Sequence, residues 1–254
     1  MPERSDLETC ATIPYHRRAS KLRVLVACEE SQATTKAFRE LGFEAFSCDL
    51  LPCSGGHPEW HFQQDVFEVI EDHHWDLMVA HPPCTFLASS GVQWLSHPDD
   101  VDLPFEDRRP HPKYPQRRQD MLDSVKFVNA LYNSNIKHVA IENPIGLLSS
   151  RWRKPEQIVQ PWMFGDEAKK STCLWLKNLP KVTETNVVGT GKQFEWIDKK
   201  GNKKSQPMWY YEALKNAKTK EERQTLRSKT FPGMAKAFAE QWGKILLDGE
   251  STTI

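Results

Sequence analysis

The sequence predicts an α/β domain organised on a parallel-type sheet, and three observations predict it. The runs Leu22–Ala27, Asp76–Ala80 and His138–Ile141 are apolar without strict alternation, the pattern of strands covered on both faces. Helical periodicity separates them. Two of the runs lead into a reactive side chain in a proline-stiffened turn, Pro82-Pro83-Cys84-Thr85 and Glu142-Asn143-Pro144. Proline fixes its own φ and drives the preceding residue toward extended backbone, so each turn leaves its strand as a stiff arm. Reactive groups at the carboxyl ends of parallel strands converge on one edge of a sheet.

The totals set the frame. A chain of 254 residues accommodates one α/β domain with a small accessory lobe, and domains of this size bury roughly 70–75% of their unfolded surface. Lysine plus arginine and aspartate plus glutamate both number 34, so net charge selects neither nucleic acid nor membrane. A polyanion site therefore has to come from local clustering. No apolar run approaches the roughly 20 residues of a bilayer span, and residues 1–20 lack a signal-peptide core. Residues 1–21 mix charge, proline and serine and are expected to form a loose tail. Six cysteines without paired spacing predict reduced thiols in a cytoplasm.

Taken in order, Leu22–Ala27 is the first strand and Cys28-Glu29-Glu30 its turn. Ser31 is expected to cap a helix running to about Leu41, with Ala33, Ala37 and Leu41 on one face and Gly42 as the stop. Phe43–Cys48 is the second strand, and Asp49 stands at its tip, where a carboxylate can accept both hydroxyls of a ribose. Residues 50–63 form a loop containing Gly55-Gly56, and Gln64-Asp65-Val66 offers a second contact for a nucleotide. Phe67–Trp75 reads as a short helix before the strand that leads to Cys84. Phe86–Trp94, with Ser89-Ser90-Gly91, reads as a flexible stretch able to close over a ligand. Asp99–Pro115 is polar and proline-rich, and the cations Arg108, Arg109, Lys113, Arg117 and Arg118 follow one another without an intervening acid. Met121, Val125, Val128, Leu131 and Tyr132 repeat at three and four, which predicts a helix over Asp120–Asn133. Thr172–Lys177 is a later strand, residues 178–229 form a lysine-rich lobe, and Phe231-Pro232-Gly233-Met234 opens a final helix.

The order of these pieces resembles the cytosine-5 DNA methyltransferase family. That family places Pro-Cys after its fourth strand, a glycine several residues on and Glu-Asn after the next strand; here Pro83-Cys84 is followed by Gly91, and Glu142-Asn143 stands at the expected later position. The resemblance runs loosely from Val24 to Gly243. It implies a Rossmann-like class I methyltransferase sheet over 22–177 and 230–250, with the small target-recognition lobe inserted late. The family's Phe-x-Gly-x-Gly loop is replaced here by Val26-Ala27-Cys28-Glu29-Glu30. Thr85 replaces a glutamine, Pro144 replaces the usual valine, and Lys169-Lys170-Ser171-Thr172 stands for a Gln-x-Arg-x-Arg piece.

The resemblance implies S-adenosylmethionine as methyl donor and double-stranded DNA as partner, with the target base flipped out. Cys84 would add to carbon 6 of cytosine, making carbon 5 the attacking atom. Glu142 would hold ring nitrogen 3 and the exocyclic amine, and Asn143 would brace the Cys84 loop. Cys28, Glu29, Asp49, Asp65 and Pro82 would face the cofactor. Pro83, Ser90, Arg108, Arg109, Arg117, Arg118 and Lys170 would face the substrate.

Competing readings attach to the same residues. Cys48, Cys53, His57 and His61 have a spacing compatible with zinc. His57-Pro58-Glu59 with Pro83-Cys84 imitates a zinc deaminase, although Leu87 stands where that motif needs its second cysteine. A methyltransferase-like module that binds DNA or protein without catalysis is a third reading. The same chemistry on RNA or a free nucleotide is a fourth.

Overall fold

The computed structural model describes residues 19–219, 222, 223, 226 and 230–250. The tail expected over residues 1–21 lies outside the described residues as far as position 18. Seven strands form one sheet: β1 (Arg23–Ala27), β2 (Glu44–Cys48), β3 (His61–Phe62), β4 (Leu77–Ala80), β5 (His138–Pro144), β6 (Gln157–Val159) and β7 (Thr172–Lys177), in the spatial order β3-β2-β1-β4-β5-β7-β6. The strands from β3 through β5 are mutually parallel, and β7 runs antiparallel to both of its neighbours. This is a mixed α/β architecture compatible with a Rossmann-like fold.

Helices cover both faces. On one face α1 (Ala33–Glu40) and the last helix α6 (Pro232–Glu250) pack on Val24, Val26, Leu77, Val79 and Ala140. Phe38 meets Phe43 edge-on, and Phe238 stacks on Trp242 at 4.5 Å. On the other face α2 (Val66–Asp72), α3 (Arg117–Tyr132) and the single turn α4 (Leu148–Arg151) cover Leu25, Ala27, Met78, Val139 and Ile141. Alternate residues of one strand therefore face different helix layers, and the apolar character of the strands on both faces is what permits it. Each fully buried Leu, Val or Phe contributes roughly 1.5–3 kcal/mol to holding these layers.

Chain order places the working edge. From β1 the chain steps outward to β2 and β3, then crosses back to pair β4 on the opposite side of β1. The turns leaving β1 and β4 therefore lie at the switch point of the strand order, where open α/β sheets generally take their ligands.

Several boundaries differ from expectation. Ser31 does not cap α1; Gln32 occupies the cap position in the left-handed region with φ 58°, and its side chain makes no cap bond. α2 ends at Asp72, and α3 begins three residues early at Arg117. β5 extends to Pro144 because β7 pairs antiparallel with it through Pro144↔Thr172. The stretch expected to be a mobile flap contains a short 3-10 turn, Ser89–Trp94, with Gly91 buried. Part of the expected lobe belongs to the main body, since Val182 is buried there and Thr183 bonds Gln241 of α6. What stands apart is the hairpin β8 (Gln193–Ile197) and β9 (Lys203–Pro207) with α5 (Met208–Asn216).

Candidate active site

The residues around Cys84 and Glu142 are drawn together by three contacts between the β4 and β5 exits. The parallel register pairs Ala80 with Ile141, so the following residues, His81 and Glu142, leave the sheet side by side. His81 Nδ1 lies 3.1 Å from Glu142 Oε2, with the two side chains only 10% and 12% exposed. One residue further on, Asn143 Nδ2 donates to the Pro82 carbonyl at 2.7 Å. Beyond the prolines, Leu147 N–H donates to the Leu87 carbonyl at 2.7 Å, and Ala88 bridges Gly146. A Cβ on Gly146 would collide with the Leu87 carbonyl oxygen, so only glycine permits this approach. Cys84 is half-buried inside that clasp, and its carbonyl accepts from Leu87 and Ala88 N–H groups in the turn that follows. Asn143 therefore ties the end of β5 to the segment that carries Cys84.

The charge state of the pair follows from its surroundings. Burial works to raise the Glu142 carboxyl. The His81 hydrogen bond, the Lys170 charge and the Thr172 hydroxyl outweigh it and hold Glu142 below the ordinary carboxylate value. Burial likewise works to lower His81, but Glu142 by hydrogen bond and charge, and Glu29 by charge, keep it above the ordinary histidine value against Lys170. His81 Nε2 sits 3.3 Å from Thr34 Oγ1 on α1. Both ring nitrogens are thus engaged. Asn143 Oδ1 is buried without a hydrogen-bond partner.

On the β1 and β2 side, Cys28 adopts φ 58°, the left-handed conformation that the missing glycine loop would ordinarily supply. Burial, followed by the charges of Asp49 and Asp65, pushes its thiol up. Glu29 is 4% exposed and accepts from Thr34 N–H, Thr35 N–H and the Thr35 hydroxyl at 2.7, 3.1 and 2.7 Å. It performs the capping expected of Ser31, its carboxylate bonded to the first turn of α1. Asp49 stands half-buried after β2 and accepts from Leu51 N–H at 2.9 Å; burial raises its carboxyl. Asp65 is exposed and caps α2 through Phe67 N–H at 2.8 Å. Pro82 is buried, whereas Pro83 and Ser90 are exposed.

The arginines expected on substrate all have internal partners. Arg108 donates to the Leu103 and Val101 carbonyls, each at 2.7 Å. Arg109 forks onto Asp100 at 2.9 and 2.6 Å, which pushes that carboxyl down to about 2. Arg117 donates to Thr85 O at 2.9 Å and to Gly91 O at 3.3 Å, and Arg118 donates to Arg108 O at 2.8 Å. Arg117 and Arg118 tie the 85–109 segment to α3, whereas Arg108 and Arg109 bond within that segment, Arg109 to an acid nine residues earlier. Lys170 is half-buried and its charge acts on Glu142 and His81.

His81, Thr34 and Thr172 complete the site, and sequence reasoning missed all three. His81 had a legible signal, a titratable residue at the exit of a buried strand and directly ahead of Pro82-Pro83-Cys84. The zinc spacing is put to other use. His61 Nδ1 meets Ser47 Oγ at 2.8 Å, its Nε2 meets the Leu51 carbonyl at 2.9 Å, and His57 stacks on Trp60 at 3.8 Å. Among the described residues no three His, Cys, Asp or Glu side chains gather as a metal site would require. Leu87, the deaminase departure, is core. Among the described residues, none of Cys28, Cys48, Cys53, Cys84 and Cys173 forms a disulfide, and no helix is long and apolar enough to cross a membrane.

Two clefts lie away from this edge. One of about 310 Å³ opens at the amino ends of the strands, lined by His73, Asp76 and His138 among others; one of about 540 Å³ lies in the hairpin lobe against Phe194, Trp196 and Tyr211. Neither is lined by a cysteine. No protein-family model matches the chain, and no curated protein matches it.

Proposed function

We propose that this protein transfers a methyl group from S-adenosylmethionine to carbon 5 of cytosine in DNA, through a covalent adduct on Cys84. One observation carries the reading. Contacts from His81 to Glu142 and from Asn143 to Pro82 clasp the nucleophile's loop to the carboxylate's strand at the carboxyl edge of the sheet.

Carbon 5 of cytosine is a poor nucleophile until a thiolate adds at carbon 6. In that step the sulfur–carbon bond forms, the carbon 5–carbon 6 π pair moves into the ring, and nitrogen 3 takes a proton. Glu142, held against the exocyclic amine and nitrogen 3, stabilises the charge as it develops. Asn143 fixes the angle at which Cys84 approaches. The residues present fit a ribosyl cofactor at the β1–β2 tips: Asp49 is a poorly solvated carboxylate at a strand end, and Cys28 supplies the left-handed turn. When bound, S-adenosylmethionine supplies an electrophilic methyl group. Glu29, committed to α1, acts on it only through the turn's shape.

The partner is duplex DNA with its target base extruded, at a cost of a few kcal/mol of unstacking. With the arginines engaged by acceptors of their own chain, phosphate contact is assigned to the hairpin lobe, where Lys199, Lys200, Lys203 and Lys204 flank the aromatic pair Phe194 and Trp196. Two of these lysines have acidic partners, Lys203 with Glu195 and Lys204 with Asp198.

Mass analysis of nucleosides from cells expressing the protein tests the proposal. 5-Methylcytosine is expected in DNA with the unchanged chain and absent with Cys84→Ala, which retains its fold. The base appearing only in RNA, or in DNA at undiminished level with Cys84→Ala, refutes the substrate or the mechanism respectively.

A further inference from the structure

We infer that His81 is the proton store for Glu142: the imidazolium supplies, through the carboxyl, the proton that ring nitrogen 3 takes when Cys84 adds to the base. The inference rests on the cytosine reading above and names a positioning residue which that reading lacks. Geometry carries it. His81 is the first residue beyond β4, stands beside Glu142 through the Ala80↔Ile141 register, and points Nδ1 at Oε2 across 3.1 Å. The pair is nearly closed to solvent, so a proton lost from Glu142 is replaced from His81 more readily than from bulk water. Thr34 Oγ1, 3.3 Å from Nε2, keeps the ring turned to present Nδ1 in either charge state.

The protons balance. Below the raised histidine value the pair is imidazolium and carboxylate. As the Cys84 sulfur bonds to carbon 6, one proton leaves His81 Nδ1, passes through Glu142 and ends on nitrogen 3, leaving neutral imidazole and the carboxylate. When carbon 5 has received its methyl group, nitrogen 3 is acidic and returns that proton along the same path; loss of the carbon 5 proton to water then breaks the sulfur–carbon 6 bond, expels Cys84 as thiolate and restores the ring. The charged and polar groups facing His81 are Glu142 from β5, Glu29 from the β1–α1 turn, Thr34 from α1 and Lys170 from the segment before β7. Glu142 and Glu29 favour the imidazolium and Lys170 opposes it. Activity is therefore present at lower pH and falls as pH rises through the elevated histidine value. A merely structural pair would show no such limb.

The experiment compares the full-length wild type with His81→Asn, which preserves an N–H donor toward Glu142 but holds no titratable proton. Expected for His81→Asn is a rate lower on the order of 10²–10⁴-fold, unchanged cofactor affinity, and loss of the alkaline limb. A rate equal to wild type across the pH range overturns the inference while leaving the cytosine reading intact. Nitrogen NMR of His81 gives a readout independent of turnover. The ring should remain protonated above about pH 6.5 in the wild type and lose that elevation in Glu142→Gln. A ring already neutral at about pH 6 in the wild type overturns the proton store whatever the reaction. A wild type that binds DNA and cofactor yet transfers nothing sinks the cytosine reading, and this inference with it.

Discussion

Replacing Asn143 separates stability from function at this site, because two opposing effects meet on one side chain. In Asn143→Ala the Pro82 carbonyl loses its donor, a buried bond of 2.7 Å; an unsatisfied buried acceptor costs about 1–3 kcal/mol. The same substitution removes Asn143 Oδ1, itself buried and unpaired, and relieves a cost of similar size, about 1–3 kcal/mol. The net loss of stability is then about 1 kcal/mol or less. The Cys84 loop loses its brace all the same, so methyl transfer should fall steeply while the urea midpoint barely moves. Asn143→Asp sharpens the test. The introduced carboxyl can donate to Pro82 only when protonated, so its folded pKa is raised above the unfolded value of about 3.9. Its stability is near wild type below that value and falls as pH rises through the folded pKa, by about 1.4 kcal/mol for every tenfold by which folding tightens the proton's hold. Urea unfolding of the three proteins at about pH 4 and pH 8 measures both effects. A loss above about 3 kcal/mol in Asn143→Ala, or a pH-independent Asn143→Asp, would refute the accounting of partners around this side chain.

Gly146→Ala should be more damaging than its size implies. The added methyl meets the Leu87 carbonyl oxygen head-on and must part the two loops, which costs on the order of 1–3 kcal/mol by overpacking and lowers transfer, whereas Gly56→Ala, with nothing within 4 Å but φ +89°, should lower stability without touching transfer. Urea midpoints and transfer rates of the two variants, measured side by side, check the contrast. The His81–Glu142 pair also shapes stability against pH. The raised histidine contributes fully below its unfolded value of about 6.5 and less as pH rises through the folded one; the depressed Glu142 contributes above about 4.3 and less as pH falls through its folded value. The pair therefore stabilises most between those limits, and Glu142→Gln should lower stability in that window and flatten the fall on either side of it; an unchanged profile would show that the two groups do not titrate together.

β1, β2, β4, β5, β7 and both reactive turns were legible in the sequence because covered strands are apolar and proline marks rigid exits, whereas the short edge strands β3, inside the expected loop 50–63, and β6 were not. Leu22–Ala27, Asp76–Ala80 and His138–Ile141 all fall on observed strands, and Asn143 ties the end of β5 to the segment that carries Cys84. The partners of the arginines were not legible for a physical reason. A cation declares its charge in sequence but not its partner: Asp100 and the Val101 and Leu103 carbonyls answer Arg109 and Arg108 through the local turns of 97–109, and the Thr85 carbonyl reaches Arg117 only once that segment folds back on α3. The bonds of Glu29 were not legible either, since a left-handed residue at Gln32 moves the capping role backward along the chain. Composition and local pattern alone determined the α/β class and the two proline-marked strand exits that carry Cys84 and Glu142. Tertiary structure decided the antiparallel β7, the glycine-only contact of Gly146 with Leu87 and the placing of His81 beside Glu142, because each depends on which strands become neighbours, and neighbours 61 residues apart meet only through the sheet.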